Sequence, residues 1–357
     1  MNNLVEQLLP EAIKNLIPYQ SARRIGAKGH LYLNANELEQ PLATEPSFAP
    51  LNRYPDFKPQ QLADAYQAFS GTDADCIAVR GADEGIELLV RTFCAPGDDH
   101  IIVCPPTYGM YEICATATNV GVHKAALTDS FQLDLATIDQ QLPSSKLIFI
   151  CSPNNPTGNL INLDDIQFLL EHTRQSHIVV VDEAYIEYSE QDSVLPLLDQ
   201  YPNLVVIRTL SKAFGLAAAR VGFVLGHCTV IDALRKLIAP YPIPDPCADI
   251  AIAALKPKNT EIMRQGVANL NRIKVSFCEQ LIQTGLIEAL YPSATNFVLV
   301  RFKPNINPFD LLIAQGIVTR NQSHEPALQD CVRITIGSEK SMAEILLALN
   351  NKVRDAV

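Results

Sequence analysis

A lysine set between small residues in an apolar neighbourhood gives up its proton more readily than one in water, and imine formation requires the free amine. Lys212 stands in such a run, Thr209-Leu210-Ser211-Lys212-Ala213-Phe214-Gly215-Leu216. Arg220 follows eight residues beyond it, and both Ser211 and Arg220 are of a type that reaches a phosphate, Arg220 with a fork of donors. Taken alone, Lys212 reads better as a solvated surface cation.

Three further clusters change that balance. Arg80-Gly81-Ala82-Asp83-Glu84-Gly85 joins a short apolar run to a helical one. Gly81 permits a tight turn, and the amides after it become the free donors of a helix N-terminus, which suit a phosphate. A plain capped helix, with Asp83 or Glu84 satisfying its own first turn, is the equal alternative. Cys151-Ser152-Pro153-Asn154-Asn155-Pro156-Thr157-Gly158 is a loop stiffened by two prolines, whose asparagine side chains can be aimed. In Asp182-Glu183-Ala184-Tyr185 an acid ends the buried run Val179-Val180-Val181. Asp182 there can hold a pyridinium nitrogen protonated, making the ring an electron sink; the alternative is a structural acid that caps the next segment.

The elements that must position these clusters are legible as apolar runs. Ile77-Ala78-Val79, Ile101-Ile102-Val103-Cys104, Leu147 to Cys151, Ile178 to Val181 and Leu204 to Ile207 read as strands buried on both faces, alternating with helical stretches that include Glu84 to Arg91 and a segment from Tyr108. That pattern predicts a mostly parallel sheet between helices. Ligands gather at the carboxyl ends of such strands, where all four clusters fall. The proline-rich Pro240-Tyr241-Pro242-Ile243-Pro244-Asp245-Pro246 reads as a hinge into a second lobe. That lobe is expected to hold a long helix around Thr260 to Thr284, a strand Asn296 to Val300 and a closing helix from Met342. Pro41, Pro46 and Pro50 break any long helix in the first 45 residues.

Composition narrows the classes. A chain of 357 residues with 48% hydrophobic content can bury a large core and fits two domains. No membrane-length apolar run or signal-peptide pattern is present, which predicts a soluble cytoplasmic protein without a membrane partner. The net charge of −11 argues against a nucleic-acid partner. Nine cysteines, none in a C-x-x-C spacing, read as free thiols and not as a metal site.

Together the four clusters resemble fold-type I pyridoxal 5'-phosphate (PLP) enzymes, in particular the class II aminotransferases, and the run from Thr209 to Ala218 is similar to that family's lysine attachment pattern. The resemblance covers nearly the whole chain. Pro18-Tyr19-Gln20-Ser21-Ala22-Arg23, Leu33-Asn34-Ala35-Asn36-Glu37, Asn52-Arg53-Tyr54-Pro55, Pro105 to Tyr111 and Val332 to Gly337 resemble more narrowly the branch that acts on L-histidinol phosphate. Leu38 after Asn36-Glu37, and Ala218-Ala219 before Arg220, depart from the usual pattern without removing a functional side chain.

The resemblance implies an α/β fold: a large domain, residues 46–240, with a mostly parallel seven-stranded sheet flanked by helices, a smaller α/β domain, 241–357, and an N-terminal arm, 1–45, serving the small domain and the dimer contact. It implies that Lys212 carries PLP; that Ala82, Asp83, Ser211 and Arg220 bind its phosphate, with Tyr54 from the partner subunit of a homodimer; and that Tyr108 stacks on its ring. Asn154 and Tyr185 are expected on the phenolic oxygen, Asp182 on the ring nitrogen, and Tyr19, Asn34, Arg320 and Arg333 on the substrate. Lys212, Asp182 and Tyr185 are the catalytic candidates. The implied reaction exchanges an amino group between L-histidinol phosphate and 2-oxoglutarate, yielding imidazole-acetol phosphate and glutamate in histidine biosynthesis. An aromatic or other amino-acid aminotransferase, or a phospho-amino-acid decarboxylase of the same fold, is the alternative, because these motifs read the cofactor better than the substrate. A PLP-binding regulator fused to a DNA-binding module is the alternative of another class; the first 45 residues are too short and too weakly basic to supply one.

Overall fold

The structure is a computed structural model that describes residues 29–34, 36, 39, 55, 59–189, 192–304 and 306–355, the last five by backbone alone. A two-residue strand, β1 (Leu31–Tyr32), precedes the strands of the main sheet. These are β2 (Asp75–Val79), β3 (His100–Val103), β4 (Gly121–Lys124), β5 (Ser145–Cys151), β6 (Ile178–Asp182), β7 (Leu204–Thr209) and β8 (Gly222–Gly226). Five more follow: β9 (Ile287–Leu290), β10 (Phe297–Phe302), β11 (Ile317–Val318), β12 (Arg320–Asn321) and β13 (Cys331–Thr335).

The main sheet has seven strands in the order β2-β8-β7-β6-β5-β3-β4. From β7 to β4 every pairing is parallel, as the apolar runs predict. Strand β8 runs against both neighbours, β2 and β7. This reversal puts the start of β8, and with it Arg220, on the edge where the other six strands end.

Side chains along the central strands alternate between two cores. Ile148, Val179, Val181, Val206, Phe223 and Leu225 enter one, whereas Phe149, Val180, Val205, Ile207 and Val224 enter the other. A period of two with apolar residues on both sides is why the strands read as continuous apolar runs.

The helices that close these faces are α1 (Gln60–Ser70), α2 (Ala82–Phe93), α3 (Met110–Ala117), α4 (Leu135–Gln141), α5 (Leu163–His172) and α6 (Cys228–Leu237). After them come α7 (Asp245–Ala254), α8 (Pro257–Gln283), α9 (Pro308–Ala314) and α10 (Glu339–Asp355). Helices α2, α3 and α6 supply one core; α1, α5 and α7 supply the other. The second core runs on without a break into a four-stranded antiparallel sheet, β12-β13-β10-β9, and into α8 and α10. Within the stretch expected as a hinge, Pro246 lies in the first turn of α7, a position where a missing N–H costs nothing.

Glu183 and Glu187 are buried on the α1 side against Arg208, whose guanidinium meets both. Glu183 Oε2 takes hydrogen bonds from Arg208 Nε at 2.8 Å and from Ser193 Oγ at 3.1 Å, and Glu183 Oε1 takes the Val194 amide at 2.7 Å. Removing one partner of a buried pair leaves an uncompensated charge, so Arg208→Met is expected to destabilise the protein by about 3–5 kcal/mol. Urea unfolding should show this as a lower midpoint, with part of the loss recovered when Glu183→Gln is added. A single variant as stable as the parent contradicts the assignment.

Candidate active site

Two consecutive acids leave β6 towards opposite faces. Glu183 closes the following segment by accepting the Val194 amide, and Asp182 does part of the capping considered above by accepting the Ala184 amide. Asp182 turns the other way, 2% exposed, with no cation among the bonds to its carboxylate. Tyr111 donates to Asp182 Oδ2 at 2.8 Å, and the Ala184 amide donates to Oδ1 at 3.1 Å. Burial raises the Asp182 pKa to about 6, although these two donors pull it down.

The opening of α2 lies at the same edge. Gly81, with φ 77°, makes the turn, and its side is so close to Arg220 that an added Cβ would lie 2.7 Å from Arg220 Nη2. No side chain caps the helix. Glu84 is drawn back to the Arg80 amide, at 2.6 Å, and to the Arg80 guanidinium. Asp83 instead accepts from Tyr108 Oη at 2.9 Å and from Arg220 Nη2 at 3.2 Å. The simple self-capped helix is therefore not what the chain forms. The first amides of α2, from Ala82 on, stand with Arg220, whose backbone is left-handed at φ 53°, a strained conformation for a side-chain-bearing residue. Ser211 is buried nearby on the chain leaving β7, bonded to Thr209 Oγ1 at 2.9 Å.

Lys212 is half-buried, its Nζ 5.6 Å from the centre of the Tyr185 ring. Tyr185 is itself buried, which pushes its hydroxyl up to about 12 against the opposing pull of Arg333 and Asn36. Asn36 Nδ2 donates to Tyr185 Oη at 3.0 Å, while Asn36 Oδ1 accepts from Thr335 Oγ1 at 2.8 Å. The two asparagines of the proline loop behave differently. Asn154 ties the proline loop to the segment after β3: its Oδ1 accepts from Thr107, and its Nδ2 donates to the Pro106 carbonyl at 2.9 Å and, within the loop, to Thr157 at 2.6 Å. Asn155 Oδ1 accepts from Arg333 Nη1, so this side chain faces the arginine.

Arg333 is buried, lies 5.2 Å over the Phe297 ring and donates to the Asn34 carbonyl at 3.1 Å. Arg320 is directly opposite Arg333 across the β12–β13 pair. Directly paired residues project on the same side of a sheet, so the two guanidinium side chains share one face. Tyr19 and Tyr54 lie outside the described residues. The structure thus gathers Lys212, Asp182, Tyr185, Ala82, Asp83, Ser211, Arg220 and Tyr108 around one sheet edge, with Asn34, Arg320 and Arg333 on or beside the second sheet. Tyr111, Asn155, Asn36 and Thr335 join them without having been singled out as site residues; all four lie in or next to the segments that carry the resemblance.

A sequence model of the aminotransferase class I and II family matches residues 31–349, and the chain belongs to that family. Among its relatives, a histidinol-phosphate aminotransferase from Aeromonas hydrophila is 47% identical over 350 residues, 97% of this chain and 98% of that protein. One from Cronobacter sakazakii is 45% identical over 349 residues, 98% of this chain and 97% of that protein. The crystal structure of histidinol-phosphate aminotransferase from Sinorhizobium meliloti, in complex with pyridoxal-5'-phosphate, shares the fold with a TM-score of 0.83 at 22% identity, over 98% of each chain.

The Asp182 pKa fixes a sign for stability. A carboxyl whose folded pKa of about 6 exceeds its ordinary 3.8 stabilises the fold below about pH 4, and that contribution is lost as pH rises through about 6. In cofactor-free protein, Asp182→Asn should therefore gain roughly 2–3 kcal/mol relative to the parent between about pH 4 and about pH 7. Urea unfolding at both pH values measures it. A difference independent of pH would mean that Asp182 titrates as an ordinary carboxyl.

Proposed function

We propose that this protein transfers the amino group of L-histidinol phosphate to 2-oxoglutarate, using pyridoxal 5'-phosphate held on Lys212, as a step in histidine biosynthesis. The observation that carries the reading is the meeting at one sheet edge of a half-buried lysine, a buried acid bonded by neutral donors and a helix start without a side-chain cap beside Arg220. An amine for the aldehyde, an acceptor for the protonated ring nitrogen and donors for the phosphate are what a phosphorylated pyridine aldehyde needs, so the residues present fit the group. Near-full-length relatives at 45% and 47% identity that bear the histidinol-phosphate name support the substrate.

Pyridoxal phosphate supplies an aldehyde that condenses with amines and a ring that withdraws electrons from the carbon beside them. The α2 amides of Ala82 and Asp83, Ser211 and Arg220 hold its phosphate, with Arg220 giving up part of its bond to Asp83. Asp182 keeps a proton on the ring nitrogen, Tyr108 covers the ring, and Tyr185 hydrogen-bonds the phenolic oxygen. Asn155 takes the part expected of Asn154, because Asn154 has both amide hydrogens engaged, one by the Pro106 carbonyl and one by Thr157. Lys212 Nζ, once the substrate amine has displaced it, takes the proton from the substrate carbon and delivers it to the cofactor side. Arg320, Arg333, Asn34 and Tyr19 bind the substrate's phosphate or, in the second half-reaction, the carboxylates of glutamate.

In the same reading the enzyme is a cytoplasmic homodimer, and Tyr54 completes the phosphate site of its partner. The chain divides into an arm at 1–45, a cofactor-binding domain at 46–240 and a small domain at 241–357. Among the described residues no helix is long and apolar enough to cross a membrane.

Borohydride reduction of the holoenzyme followed by peptide mapping should leave the pyridoxyl group on Lys212, and Lys212→Ala should lose turnover by orders of magnitude. A label on another lysine removes the central claim. Losing a charge-assisted contact removes about 1.5–3 kcal/mol, so Arg320→Ala should weaken histidinol phosphate about ten- to a hundred-fold and unphosphorylated histidinol far less. Measuring parent and variant with both amines isolates the phosphate contribution. Equal losses would favour a broader amino-acid aminotransferase.

A further inference from the structure

Tyr111 stands where two parts of the proposed site meet. It is fully buried in α3, its ring stacked on Phe149 with centres 5.0 Å apart and planes 17° from parallel. Its hydroxyl is 2.8 Å from Asp182 Oδ2. The ring of Tyr108 stands edge-on to it, centres 5.7 Å apart at 86°. One side chain therefore touches both the acid assigned to the ring nitrogen and the aromatic ring assigned to the cofactor's face.

We infer that Tyr111 is a positioning residue for the reaction: its hydroxyl holds Asp182 ionised and aimed along the sheet edge, and its ring sets the seat of Tyr108. This rests on the reading that Asp182 faces the ring nitrogen of the cofactor. The groups around Asp182 make the hydroxyl decisive. Asp83, itself paired to Arg220, and Glu183 both oppose its charge, as does burial, and Cys151 and Tyr185 are weak acids held neutral beside it. Lys212 is a cation of the same site, its Nζ 5.6 Å from the centre of the Tyr185 ring. Against these stand the hydrogen bonds from Tyr111 and from the Ala184 amide. Without the hydroxyl, Asp182 becomes a neutral acid at higher pH, and a neutral acid does not stabilise a protonated pyridine. Burial also makes the phenol a donor in all ordinary conditions, since the Tyr111 pKa is raised well above its usual value.

Tyr111→Phe keeps the stack and removes the hydroxyl that bonds Asp182 and also meets the Cys151 thiol. In cofactor-free protein labelled with carbon-13 at aspartate carboxyls, the Asp182 titration should move up by about one to two pH units. In the holoenzyme the acid limb of kcat should move up in the same direction and the absorption of the bound cofactor should shift, while KM for the amine changes by less than about twofold. Phe149→Leu, which loosens the stack and spares the hydroxyl, should lower stability and leave the acid limb in place; a shifted limb there assigns the effect to packing and overturns the role of the hydroxyl. An unmoved Asp182 titration in Tyr111→Phe, beside an inactive Asp182→Asn, overturns the role of Tyr111 alone. Near-normal turnover in Asp182→Asn overturns the reading of the acid, and the inference with it.

Discussion

Both faces of the main sheet are covered by apolar side chains, so the polar groups carried by its strands emerge chiefly at their ends. This constraint orders the rest of the structure. Parallel strands share a carboxyl end, and the reversed β8 adds its own beginning to that edge. Lys212, Asp182, the start of α2 and Arg220 meet there because no other part of these strands could present them together. The exception inside is the Arg208 cluster, and it follows from the same constraint. Asp182 and Glu183 are adjacent and point to opposite faces, so the acid that is not wanted at the edge needs a buried cation of its own.

Burial without a cation gives Asp182 its chemical character. A carboxyl pushed to about 6 by desolvation and steadied by two neutral donors responds strongly to any positive charge brought beside it. Asp83 does the opposite work at the start of α2, where it holds Arg220 through an exposed bond and Tyr108 through a part-buried one. One acid waits for a cation, whereas the other restrains one.

Much of this was legible in the chain. The central strands announce themselves because burial on both faces demands continuous apolar runs, and α8 lies within a few residues of the expected Thr260 to Thr284. Strand β4, Gly121-Val122-His123-Lys124, escaped notice because an edge strand has one neighbour and tolerates polar residues. The reversal of β8 is also silent, since direction leaves no mark on composition. In the site, Lys212 and Asp182 could be picked out by residue type at a strand end. Asn36 and Thr335 could not, because their bond joins positions 299 residues apart. The different surroundings of Asn154 and Asn155 were equally hidden: adjacent side chains in a tight loop point in different directions, and only the fold brings Arg333 to one of them.

Strand β13 joins the two chemical ends of the site. Arg333 and Thr335 lie two residues apart and so project on the same side; Arg333 reaches Asn155 and the Asn34 carbonyl, while Thr335 reaches Asn36 and, through it, the Tyr185 hydroxyl. Under the function proposed above, the grip on the amine and the bond to the cofactor's phenolic oxygen are both tied to this one short piece of backbone. Redesigning the enzyme for a bulkier amine by sliding or tilting that strand would retune the cofactor at the same time, whereas changes confined to Arg320, on the neighbouring strand, leave the Asn36–Tyr185 connection alone. Selectivity and reactivity are mechanically geared to each other here, and they separate at β12.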